Sequence, residues 1–129
     1  MTLSLGRIHQ IAVHASDLDR SVAFYRDTLG ASLIARFDPP GLAFFRFGDT
    51  RILLEKAGPP ATLYFRVDDL PRAYDDLKGK GVRFDSEPHL IHRDEEGHFG
   101  PRGMEEWMVF FRDPDGNVLA LAAQQQPTS

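Results

Sequence analysis

Cysteine is absent from all 129 residues, which removes disulfides, thiolate metal ligands and a thiol nucleophile together. Positive charge is in short supply as well. Fifteen Lys and Arg stand against 19 Asp and Glu, leaving a net charge of −4. A general nucleic-acid binder draws its affinity from neutralised phosphates and needs the opposite sign. No apolar run approaches the roughly 20 residues of a bilayer span, and Met1 to Ser16 has neither the basic start nor the apolar core of a signal peptide. There is no phosphate-binding glycine loop, no dinucleotide fingerprint and no Ser-His-Asp order. These absences imply a cytoplasmic protein that engages neither nucleic acid nor membrane. What is present is ordinary for a globular chain, with 42% hydrophobic and 26% charged residues. Ten Phe are the exception, and they point to a large apolar core or an apolar pocket.

The chain repeats itself. Asp17-Leu18-Asp19-Arg20 recurs 52 residues later as Asp69-Leu70-Pro71-Arg72, and the same offset carries Leu18, Val22 and Tyr25 onto Leu70, Tyr74 and Leu77. Spacing i, i+4, i+7 is the buried stripe of an amphipathic helix. Ser16 or Asp17 caps the first helix and Asp68 or Asp69 the second. Pro71 sits in the first turn, where a missing N–H is harmless. Gly30 ends the first helix, and Gly79 or Gly81 the second.

Each helix is preceded by an alternating segment, Gln10 to His14 and Thr62 to Val67, and alternation is the mark of a strand with one apolar face. Ile11 and Val13, and Leu63, Phe65 and Val67, face their own helices. The opposite faces hold Gln10, Ala12 and His14, then Thr62, Tyr64 and Arg66, a mixture too polar for a closed core. Further strands follow each helix: Ser32 to Phe37, Leu42 to Phe47 and Arg51 to Glu55, then Arg83 to Phe84 with Leu90 to His92, Glu106 to Arg112 and Asn117 to Ala122. Turns fall at Pro39-Pro40-Gly41, Gly48-Asp49-Thr50 and Asp113-Pro114-Asp115-Gly116. The plan is α+β, two tandem βαβββ modules. Module one spans residues 7–56, Ala57 to Pro60 is a linker, module two spans 61–123, and 124–129 is a frayed polar tail. The charged, Gly-rich stretch from Arg93 to Met104 reads as a mobile loop or lid.

Ile8 to Gly30, with Asp17-Leu18 and Phe24-Tyr25-Arg26-Asp27-Thr28-Leu29-Gly30, resembles the opening of the glyoxalase, bleomycin-resistance and dioxygenase family, the vicinal oxygen chelate superfamily. Phe110-Phe111-Arg112-Asp113-Pro114-Asp115-Gly116-Asn117 resembles its closing hairpin, and the likeness covers residues 7 to 122. The resemblance implies mixed sheets that curl around a cleft, with helices outside. The mixed strand faces would then line that cleft.

The superfamily includes lyases, epimerases, dioxygenases and binding proteins without chemistry, so fold does not decide function. Its metal-dependent members take ligands at positions matched here by Gln10, Thr62 and Ala120, and the strand before the linker adds Glu55. Gln10 is a weak neutral ligand, Thr62 a poor one, and Ala120 none. A divalent transition ion wants three or four good donors, so neither metal nor other cofactor is expected. His9 faces away from Gln10 in a structural role, while His89 and His92 fall on opposite faces of an extended segment. A scattered His set of this kind is not a metal site.

The cleft faces then combine Gln10, His14, Phe44, Arg51, Leu53 and Glu55 from module one with Thr62, Tyr64, Arg66, Glu106, Met108, Phe110 and Ala120 from module two. Aromatic and thioether walls with a few placed polar groups make a small-molecule pocket, and they suit a flat, partly polar ligand. Two classes of function remain. One is a metal-free binder that sequesters an aromatic compound, as drug-resistance members do. The other is a lyase, epimerase or dioxygenase acting on a small metabolite, with His14 or Glu106 as proton carrier if no metal is held. A homodimer is expected, since curled sheets leave strand edges to be covered and the Pro-stiffened linker favours exchange of modules.

Overall fold

A computed structural model describes residues 3–127. In chain order its elements are β1 (Gln10–His14), α1 (Leu18–Ala23), β2 (Ser32–Phe37), β3 (Leu42–Phe47), β4 (Thr50–Glu55), β5 (Thr62–Arg66), α2 (Leu70–Gly79), β6 (His89–Asp94), β7 (Met104–Arg112) and β8 (Val118–Gln125). None of the described helices is long and apolar enough to cross a membrane. The chain forms two compact units. Residues up to 61 join 113–117 in the first, and 62–112 join 118 onward in the second. Each is an open four-stranded sheet, ordered β1-β4-β3-β2 and β5-β8-β7-β6, with one parallel pair beside two antiparallel ones. The two βαβββ modules of an α+β fold are therefore present.

Alternation sorts the first sheet as expected. Val13 pairs with Leu54, Leu54 with Ala43 and Ile52 with Phe45, and all five are buried. Val22 and Tyr25 complete this core from the helix. Asp17 is the cap, its carboxylate accepting the Arg20 amide at 3.2 Å. The helix does not run unchanged to Gly30: from Phe24 to Thr28 it widens into a π-helical turn. Gly30 then takes the left-handed conformation, φ 73°. Tyr25 leaves this turn with its ring 5.8 Å from that of Phe45.

The Asp113–Asn117 segment does more than reverse the chain. Asp113 Oδ1 accepts the amides of Asp115 and Asn117, while Oδ2 accepts the Tyr25 hydroxyl at 2.7 Å and the Asn117 side-chain amide at 2.8 Å. Burial, reinforced by the Asp113 charge, pushes the Tyr25 hydroxyl far above its ordinary pKa, so it remains a donor. Asp115 accepts from the Ser16 amide and hydroxyl, from the Ser21 hydroxyl and from Arg20. Burial alone would raise the Asp115 pKa, but the Ser16 and Ser21 hydrogen bonds and the Arg20 charge hold it below the usual carboxylate value.

The second sheet buries Val109, Phe111, Leu119, Leu121 and Ala123, with Leu70 and Leu77 supplied by α2. Asp69 caps that helix through the Arg72 amide, and Pro71 lies in its first turn. Three expectations need correction here. Arg83 to Phe84 is not a strand: Phe84 makes one isolated bridge to Phe111, and its ring packs on Tyr74 and Phe111. The polar tail does not begin at 124, because β8 continues with Gln124 opposite Glu106 and Gln125 opposite Glu105. Ladder hydrogen bonds hold polar residues in a strand as readily as apolar ones. The segment from 93 to 104 is not a loop throughout. β6 extends to Asp94 and β7 begins at Met104. The buried Asp94 carboxylate accepts the amides of His98 and Phe99, each at 2.8 Å. These amides, Phe99 foremost, hold the Asp94 carboxyl below its ordinary pKa.

Candidate functional site

The helix-free face of the first sheet follows from the strand register. Gln10 pairs with Arg51, Ala12 with Leu53 and His14 with Glu55, while Phe44 lies opposite Leu53. The expected grouping of Gln10, His14, Phe44, Leu53 and Glu55 on one face is what the pairing produces. Arg51 organises this face. Its Nε donates to Gln10 Oε1 at 2.8 Å, one terminal nitrogen meets His9 Nε2 at 3.0 Å, and the guanidinium carbon lies 5.4 Å from the centre of the Phe44 ring. His9 precedes β1, where strand alternation no longer governs direction, so its ring reaches Arg51 instead of taking the separate structural role expected of it. His14 is occupied otherwise. Nδ1 is 3.0 Å from the Lys56 carbonyl oxygen, and Nε2 is 3.9 Å from Asp115. Leu53 is buried, and Glu55 is half-buried.

On the second sheet, Thr62 pairs with Val118, Tyr64 with Ala120 and Arg66 with Ala122, and across the hairpin Phe110 faces Ala120 and Met108 faces Ala122. Thr62, Tyr64, Arg66, Glu106, Met108, Phe110 and Ala120 therefore share its helix-free face. The Tyr64 and Phe110 rings meet edge to face across Ala120, 6.1 Å between centres. Tyr64 is 59% exposed, whereas Ala120 is fully buried. The two histidines of β6 depart from expectation. A bulge between Leu90 and His92 sets His89 opposite Met108 and His92 opposite Glu106, so both reach this face. One extra residue in a strand restores a face that plain alternation would lose.

A divalent ion does not fit these donors. The Gln10 carbonyl oxygen already accepts a hydrogen bond from Arg51, and a guanidinium beside it repels a second cation. Glu55 is four register positions beyond Arg51, about 13 Å along the strands at their usual rise. Thr62 offers only a neutral hydroxyl, and Ala120 offers nothing. Among the described residues no three His, Asp or Glu are grouped to hold a metal.

The sequence profile of the Glyoxalase/Bleomycin resistance protein/Dioxygenase superfamily matches residues 7–121. The chain belongs to this superfamily. Its relatives differ in what they do. It is 29% identical to the uncharacterized protein YraH of Bacillus subtilis, over 89% of this chain and 96% of that one. It is 26% identical to a probable lactoylglutathione lyase of Vibrio cholerae, over 96% and 95%. In fold it is similar to TnmS3, an antibiotic binding protein from Streptomyces, with a TM-score of 0.72, 22% identity, and 96% and 100% of the two chains covered. The names of these similar proteins thus differ in function, a probable lyase in one case and an antibiotic binding protein in the other.

Sequence reasoning passed over Arg7 and Arg46. Together with His9, Asp49, Thr50 and Arg51 they line a cavity of about 250 Å³ at the end of the first sheet. A signal existed in the turn after β3. Phe47 pairs with Thr50 around Gly48-Asp49, so the next pair outward is Arg46 with Arg51, and two arginines face each other.

Proposed function

We propose that the helix-free sheet faces bind a planar, partly polar small molecule, and that binding needs no divalent ion. The observation that carries this reading is Arg51. Its guanidinium takes the Gln10 oxygen and lies against Phe44, where a metal-dependent relative would need an unengaged donor. Aromatic surface is available on both faces: Phe44 is half-buried, as is Phe110, and Tyr64 is largely exposed. Such rings hold flat ligands by stacking and sulfur contacts, and a few fixed polar groups orient them. The similarity in fold to the Streptomyces antibiotic binding protein supports the reading. The lyase-like relative makes turnover the competing outcome. The reading is tested by titrating chelator-treated protein with a screen of aromatic compounds and recovering the ligand afterward: binding without metal and recovery unchanged support it, whereas a converted ligand favours the enzyme.

The same reading includes a homodimer. Edge strand β6 carries exposed Leu90 and Ile91, an apolar edge of the kind proteins cover. Light scattering at micromolar concentration should give twice the 14.5 kDa chain mass. A mass of one chain would reject the dimer.

A further inference from the structure

We infer that the ligand of the first sheet is an amphipathic organic anion, with a carboxylate or phosphate head held by Arg7, Arg46 and Arg51 and an apolar ring system laid over Phe44. The inference rests on the proposed binding role and names its ligand class. Two cavities of about 250 Å³ each meet at Ile34 and Arg51. One is basic, with Arg7, Arg46, Arg51 and His9 on its walls and Asp49 as its single carboxylate. The other is apolar, walled by Ile34, Ala35, Phe37 and Phe44. The Phe37 and Phe44 rings stand edge to face at 6.0 Å, and Ile34 and Phe37 are 43% and 51% exposed.

The basic cavity is arranged at a cost to the free protein. Arg46 and Arg51 are directly opposite across the β3–β4 ladder, and like charges so placed destabilise a sheet. Among the described residues no carboxylate stands within 4.0 Å of Arg7, Arg46 or Arg51, Asp49 included. A chain with excess negative charge has nonetheless gathered three guanidinium groups without counter-ions. An anion between them removes the repulsion. Arg51 is also held in place beforehand: Gln10 and His9 take two of its N–H groups and Phe44 lies against its face. A guanidinium has five N–H donors, so three remain for a ligand, enough for the two-pronged grip on carboxylate or phosphate oxygens. With its head there, a ligand's apolar body falls on the side where Phe44 and Phe37 lie.

The test is a calorimetric titration of the full chain with 2-naphthoate, 2-naphthyl phosphate and the neutral 2-naphthamide. At least one anion should bind ten- to a hundredfold more tightly than the amide, on the order expected for hydrogen bonds to charged groups, and that advantage should shrink as salt is added. Preference for naphthoate would identify a carboxylate head, and preference for the ester a phosphate. Arg46→Met and Arg51→Met should each remove most of the advantage, read as the ratio of anion to amide affinity within the same variant. Among the described residues the Arg46 side chain makes no hydrogen bond or ion pair, so its variant, confirmed folded by thermal denaturation, decides the matter if Arg51→Met does not fold. An amide that binds as tightly as both anions, or an anion preference surviving Arg46→Met, overturns the inference and leaves the aromatic-binding reading standing. If none of the three binds at millimolar concentration, both fail.

Discussion

Replacing Tyr25 by Phe removes one hydrogen-bond donor from the buried Asp113 carboxylate. Tyr25 is fully buried and Asp113 is 6% exposed. The Asp113 carboxylate accepts four hydrogen bonds, and the phenol at 2.7 Å is the shortest. The phenylalanine ring would keep the contact with Phe45, so the change isolates the hydroxyl. A hydrogen bond to a charged group contributes about 1.5–3 kcal/mol, and its loss leaves a buried oxygen with a single donor. For a chain of this size each kcal/mol moves the melting temperature by roughly 3–5 °C, so Tyr25→Phe should lower it by about 5–15 °C. Urea unfolding followed by fluorescence and circular dichroism would measure the free energy. Tyr74→Phe is the control. That ring packs against Phe84 and Lys78, its hydroxyl makes no hydrogen bond among the described residues, and the change should stay within about 0.5 kcal/mol. Equal effects of the two substitutions would refute the view that Asp113–Asn117 anchors the first unit through Tyr25.

A Cβ on Gly58 would sit 2.7 Å from both the carbonyl carbon and the oxygen of Val13, so Gly58→Ala should cost about 1–3 kcal/mol by overpacking. Gly79→Ala, with open space at its Cβ, should instead stabilise by about 0.5–1 kcal/mol on denaturant unfolding. Asp94 and Asp115 have depressed pKa values in the folded protein. Their contribution is therefore complete above the unfolded carboxylate value of about 3.9 and is lost as pH falls below it. Tyr25 has the opposite sense for an acid, a raised value, so its contribution is present below about pH 10 and declines above it. Stability measured from pH 2 to 11 should show both limbs, with Asp94→Asn flattening the acid one and Tyr25→Phe the alkaline one.

Most of the fold was legible because its signals are local. Gln10 to His14 alternates cleanly, turn residues bracket Ser32 to Phe37 and Leu42 to Phe47, and the three strands have the expected bounds. The repeat at an offset of 52 places both caps. What escaped depends on contacts distant in sequence or on irregular backbone. The Ile91 bulge is invisible to alternation, and it turned His92 to the face of His89. Gln124 and Gln125 look like tail because polar residues carry no burial signal, yet β7 offers them a ladder. Asp113 and Asp115 looked like turn residues alone, since nothing near them in sequence announces Tyr25 or Ser16. At the site, register put Gln10, Phe44 and Glu55 on one face, with Glu55 at the far end from Gln10, but the grip of Arg51 on His9 and Gln10 depends on rotamers that sequence does not show.

The most direct test is equilibrium titration of exhaustively chelated wild type, Phe44→Ala and Phe110→Ala with an aromatic ligand obtained from a screen. The expected result is wild-type binding that added zinc, nickel, manganese or iron does not strengthen. At least one variant should bind about tenfold more weakly, a change of roughly 1.4 kcal/mol that fits the loss of an aromatic contact and its buried area. Binding that appears only with one equivalent of metal, or two variants as tight as wild type, would contradict the account.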